Sequence, residues 1–239
     1  MSIQTRLIDY VDGETVLEGL LAWDDAIAGP RPGVMVSHAW AGRSELEDDK
    51  AVELAKLGYT GFALNLYGKG VLGSGPDVNA LLMQPFLDDR PILQKRLLLS
   101  LETMRDQPEV DESNVAAIGF CFGGLCVLDI ARTGEDLAGV VSFHGLFGAP
   151  ENTAGNKIKA RILSLHGWDD PMVTPDSVLA LGEELTSMGA DWQLHGYGNT
   201  MHAFTNPQAN DPEMGTVYNA SADRRSWAAM RYFLAELFS

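Results

Sequence analysis

Cysteine is nearly absent from this chain: there are two, Cys121 and Cys126, among 239 residues. Lying close together in one segment, they are poorly placed to staple distant parts of a fold. Neither their number nor their spacing suits a zinc site, so a reducing compartment and no metal are expected. Basic side chains are also scarce. Seventeen Lys and Arg stand against 33 Asp and Glu, a formal net charge of -16. Such a field repels phosphate backbones and anionic headgroups, so neither nucleic acid nor a membrane is an expected partner. No apolar run approaches the roughly 18 uncharged residues that a bilayer span needs, and the opening MSIQTRLIDYVDG lacks a basic-then-apolar leader pattern. A cytoplasmic protein is the expectation. With 46% hydrophobic residues, the chain can bury one sizeable core, and a single domain over residues 1–239 is expected.

What is present is an alternation of short apolar runs and helical stretches. Gln4–Val11 and Thr15–Trp23 flank the turn dipeptide Asp12-Gly13 and predict an antiparallel hairpin. Buried parallel strands are predicted at Gly33–Ser37, Tyr59–Leu64, Val115–Gly119, Leu137–Ser142 and Arg161–Leu165, and a last strand at Trp192–Tyr197. Between them, Ser44–Leu57, Pro91–Arg105, Gly123–Arg132 and Pro175–Met188 read as helices, the last beginning after a candidate Thr174 cap; Asn219–Leu237 closes the chain. Tyr67–Pro76 and Asp77–Asp89 read as a long excursion. The pattern predicts an α/β fold: a mostly parallel central sheet with an antiparallel N-terminal hairpin, helices on both faces, and ligands beyond the carboxyl ends of the strands.

The chemistry gathers at those ends. Val115–Gly119 runs into Gly119-Phe120-Cys121-Phe122-Gly123-Gly124 and then a helix, a nucleophile elbow of the α/β-hydrolase kind with sulfur in place of the usual serine oxygen. The turn strains the nucleophile's backbone, so glycines two residues to either side avoid clashes, and the helix N-terminus favours thiolate. Cys126, in an apolar run without an elbow, reads as core. In this fold an acid and then a histidine follow the nucleophile. After Arg161–Leu165 comes His166-Gly167-Trp168-Asp169-Asp170-Pro171-Met172-Val173. Asp170 is the candidate acid, and Asp169 a turn cap. His202 lies in the loop after the last strand and is the candidate base, preferred to His195 inside that strand. Oxyanion donors are expected from the Phe122 N–H and from either Ala39 or Trp40 in the loop after Gly33–Ser37. Tyr67, Phe86, Trp168, Phe204 and Trp40 could line an apolar pocket, and Arg90 or Arg43 could contact an anion.

Gly119–Gly124, Asp170–Val173 and His202-Ala203-Phe204 together resemble the dienelactone hydrolase, or carboxymethylenebutenolidase, family over nearly the whole chain. The resemblance implies an α/β-hydrolase fold, a Cys121-His202-Asp170 triad and no metal or organic cofactor. It also implies hydrolysis of lactones or small activated esters through a thioester, with a small-molecule substrate as partner and a monomer or homodimer as the assembly. The alternatives are a thioesterase- or peptidase-type cysteine hydrolase and a noncatalytic relative with a reactive thiol. Where the family carries a glutamate after the third strand, this sequence has His38, either a modulator of the Cys121 thiol or an anchor for its loop. No arginine stands beside His202, unlike the family's type activity on an anionic dienelactone.

Overall fold

The computed structural model describes residues 2–239 and divides them into two compact units, meeting between Ile118 and Gly119 within one strand. In the first, β1 (Ile3–Asp12) and β2 (Thr15–Asp24) form the expected antiparallel hairpin. Its loop is Gly13-Glu14 rather than Asp12-Gly13. Asp12 pairs with Thr15 inside the ladder, its carboxylate held by Lys95 at 2.6 Å and Arg96 at 2.8 Å, while Gly13 takes the left-handed turn at φ 61°. β2 lies antiparallel to β4 (Thr60–Ala63), which runs parallel to β3 (Arg31–Ser37); the order continues to β5 (Val110–Phe120).

Helix α1 (Glu45–Lys56) starts at a capping box: Glu47 accepts from the Ser44 N–H at 2.9 Å, and Ser44 Oγ accepts from Leu46 at 3.3 Å. It packs on β4 so closely that a Cβ on Gly61 would lie 2.4 Å from the Ala51 carbonyl oxygen. Asp77–Asp89, expected as an excursion, holds a further helix, α2 (Pro76–Asp88). Pro76 at its first turn and Asp77 beside it favour helix initiation. It buries only Asn79 and Phe86 and contains Pro85, which interrupts its helical propensity. Helix α3 (Arg90–Arg105), capped by Asp89, follows at once.

In the second unit α4 (Phe122–Arg132) is buried along its whole length. Strands β6 (Gly139–Phe143), β7 (Arg161–Gly167) and β8 (Trp192–Tyr197) form a parallel ladder, with α5 (Pro175–Ser187) between β7 and β8 in sequence. Thr174 occupies the N-cap of α5 but makes no capping bond with its side chain; Pro175 presets the first turn instead. A two-stranded ribbon, β9 (Asn210–Asp211) with β10 (Thr216–Val217), precedes α6 (Ala220–Leu237). Among the described residues no helix is long and apolar enough to cross a membrane.

Candidate active site

Cys121 occupies the N-cap of α4 with φ 57° and ψ −115°, a backbone conformation that non-glycine residues seldom adopt. The glycine two residues before it is required by space: a Cβ on Gly119 would lie 2.0 Å from the Gly123 carbonyl oxygen. In the first turn of α4, Gly124 lets the helix pass Gly145, whose Cα would lie 2.6 Å from an added Cβ. The elbow holds because the Cys121 N–H is shared between the Phe143 carbonyl at 3.0 Å and His144 Nδ1 at 3.1 Å.

The loop after β7 brings in the acid. Asp170 is buried, with Oδ1 accepting from the Met172 N–H at 2.8 Å and Oδ2 at 2.7 Å from His202 Nδ1. Asp169 bonds through its backbone N–H to Thr200 O at 2.9 Å. A Cβ on Gly167 would lie 2.6 Å from the carbonyl oxygens of both Thr200 and Met201, so glycine there lets the acid and histidine loops meet. The His202 backbone is tied to the ribbon region by its N–H to Gly215 O at 2.9 Å and by Val217 N–H to its own carbonyl at 3.0 Å. His195, the rival histidine, is exposed on β8.

Burial works against a charged His202, but the negative charge of Cys121 leads the opposing effects. Together with the Asp170 and Cys121 hydrogen bonds it raises the pKa to about 10. The charge of Cys121 is the largest of the raising effects, ahead of the hydrogen bonds. These residues can therefore hold a thiolate–imidazolium pair, with Asp170 selecting the orientation of the ring. Phe122 is fully buried as the first residue of α4.

In the first unit, His38 follows β3 with both ring nitrogens engaged. Nδ1–H donates to Ala39 O at 2.7 Å, and Nε2 accepts from the Leu66 N–H at 3.2 Å. That fixes a neutral tautomer, and burial lowers the pKa to about 4. The Ala39 N–H donates to Glu47 Oε1 at 3.3 Å. Tyr67 donates its hydroxyl to Trp40 O at 3.0 Å, with its ring against His38 and Phe86. Arg43 is committed to Asp48 at 2.7 Å and to the Glu18 carbonyl at 2.7 Å, which occupies the anion-binding capacity expected of it; Arg90 opens α3. In the second unit, Trp168 is 48% exposed beyond β7, whereas Phe204 is fully enclosed, ring to ring with His144 and Tyr197.

The dienelactone hydrolase family model matches residues 17–238. The chain belongs to the dienelactone hydrolase family. It is accordingly a hydrolase with the α/β-hydrolase fold. It is 37% identical to a solved dienelactone hydrolase-like promiscuous phosphotriesterase from metagenomic libraries, with all of both chains covered and a TM-score of 0.95. An uncharacterised protein of Caenorhabditis elegans is 36% identical over 150 residues, 62% of this chain and 95% of its own. A protein of Bradyrhizobium sp. named as a probable 2-oxo-3-(5-oxofuran-2-ylidene)propanoate lactonase is 26% identical over 85% of this chain and 86% of its own.

Sequence reasoning missed His144. It stands directly after β6 with φ 38°, at the carboxyl end of a parallel strand, where the other candidate residues were sought. Its position before Gly145 was the available signal. The ribbon that fixes His202 was also missed, because two-residue strands carry no periodicity.

Proposed function

We propose that the protein hydrolyses lactones or small activated esters with Cys121 as nucleophile, through a thioester acyl-enzyme. The observation that carries this reading is a cysteine in strained left-handed backbone at a helix N-terminus, acting on a buried histidine that a carboxylate holds at 2.7 Å. The His202 proton is already in place at rest, so the thiolate attacks the ester carbonyl directly. Protonated His202 then gives its proton to the departing alkoxide or enolate. The neutral imidazole next removes a proton from water, which hydrolyses the thioester and restores the ion pair.

The Phe122 N–H serves as one oxyanion donor. Within the first unit the Ala39 N–H is given to Glu47, so of the two donors expected in the loop after β3 the Trp40 N–H is the candidate. His38 anchors its loop: both ring nitrogens are spent on backbone groups and the ring is neutral. Thiolate is both a good nucleophile and a good leaving group. Enol lactones and aryl esters, whose alcohols depart readily, are therefore favoured over alkyl esters and amides. Similarity to the probable lactonase supports this choice, and similarity to the promiscuous phosphotriesterase makes activated phosphotriesters a second substrate class to assay.

The deciding experiment offers an enol lactone, an aryl ester, an acyl thioester and an aryl phosphotriester, quenches in acid and weighs the Cys121 peptide. Acyl-Cys121 formed from lactone and ester at the catalytic rate is the expected result. Full aryl-ester turnover by Cys121→Ala would overturn the reading. Faster turnover of the acyl thioester than of the lactone would move the assignment to a thioesterase.

A further inference from the structure

His144 is buried and touches both halves of the candidate machinery. Its Nδ1 lies 3.1 Å from the Cys121 backbone nitrogen, and its Nε2 lies 2.8 Å from Thr205 Oγ1, three residues beyond His202. A backbone N–H can only donate, so Nδ1 is unprotonated and Nε2 carries the hydrogen given to Thr205. The ring meets that of His202 edge-on at a centroid distance of 5.1 Å, and Phe204 at 5.0 Å, with Phe120 beyond at 6.2 Å. The His144 backbone is itself pinned, its N–H donating to Leu165 O at 2.8 Å.

We infer that His144 is a positioning residue: an uncharged strut that locks the strained amide of Cys121 to the histidine turn and so sets the separation between the thiolate and His202. The inference rests on the proposed role of Cys121. Two features select a neutral histidine here. The Cys121 N–H, bonded also to Phe143 O at 3.0 Å, finds a second acceptor in Nδ1 while the Thr205 hydroxyl takes a hydrogen from Nε2, and imidazole spans that gap with one of each. A cation at this place would face the His202 imidazolium and would have no lone pair for the Cys121 N–H. Burial, and then the charge of His202, keep the ring neutral.

The test reads the thiol rather than turnover. Alkylation of Cys121 by iodoacetamide is followed against pH, with the modified peptide identified by mass to separate it from buried Cys126. His144→Leu removes both bonds; alkylation at about pH 6 should slow about tenfold and its midpoint move upward, with kcat falling in parallel and KM nearly unchanged. His144→Asn keeps an acceptor near the Cys121 N–H and tolerates φ 38°; it should stay within about threefold of the wild type. Thr205→Val removes only the far anchor, as His144→Asn does, and should give a similar small but measurable shift. A wild-type profile in His144→Leu overturns the inference, as does a folded His144→Asn no better than the leucine variant. If His144→Leu does not fold, a wild-type profile in Thr205→Val overturns it instead. The alkylation profiles need no hydrolysis, so failure of the nucleophile assignment, seen as activity in Cys121→Ala, is recorded separately.

Discussion

His38 in the first unit and His202 in the second are equally hidden from solvent, yet one has a pKa lowered to about 4 and the other a pKa raised to about 10. Burial pulls both down. What separates them is the company each keeps. His38 bonds two backbone groups, neither carrying a full charge, and the charge that acts on it is the cationic Arg43. His202 bonds the Asp170 carboxylate, and Cys121, when ionised, adds a second negative charge. A buried imidazole is thus a scaffold strut or a charged reactant according to whether its neighbours are dipoles or anions. His144 belongs with His38 in this respect, although it lies against His202.

The largest expected break in that contrast is Cys121→Ala. Aryl-ester hydrolysis should fall by at least ~10³-fold. Loss of the negative sulfur should also bring the His202 titration well below about pH 10, as read by NMR of the imidazole protons. Asp170→Asn comes next, with kcat down on the order of 10³-fold, because the amide no longer holds the ring in one orientation. An Asn variant within about threefold of wild-type kcat would remove Asp170 from the reading.

His38 gives a smaller effect of opposite sign. Its folded pKa of about 4 lies below the value near 6.5 of an unfolded histidine, so below that value the unfolded chain takes up a proton that the native chain refuses. Its contribution to stability therefore declines as pH drops from about 6.5 toward 4 and levels off below. Chemical denaturation of His38→Gln should show a destabilisation at about pH 8 that shrinks by up to ~3 kcal/mol near pH 4. The same variant should leave the pH profile of Cys121 alkylation unmoved; a shift would make His38 a partner of the thiol. The smallest effect is Ser44→Ala, which removes the side-chain cap of α1 and should cost about 1 kcal/mol without altering either histidine's titration.

The sequence by itself carried the residues whose roles are written in local chain geometry. Glycine at 119 and 123, flanking a cysteine between a strand and a helix, specifies an elbow, because only such a turn needs that spacing. Gly167 and Asp170 after an apolar run, and His202 after the last strand, follow from the order of elements in the fold. Strands and most helices were legible from their apolar patterning, whereas α2 was hidden by its internal proline and by burying only two residues. Tertiary structure alone decided the rest. It joined His144 to Cys121 and Thr205 across 23 and 61 positions of chain, gave the Ala39 N–H to Glu47, and shifted the pKa values of two hidden histidines in opposite directions. Spacing can name a side chain, but its protonation depends on which dipoles and charges folding brings around it, and those come from distant parts of the chain.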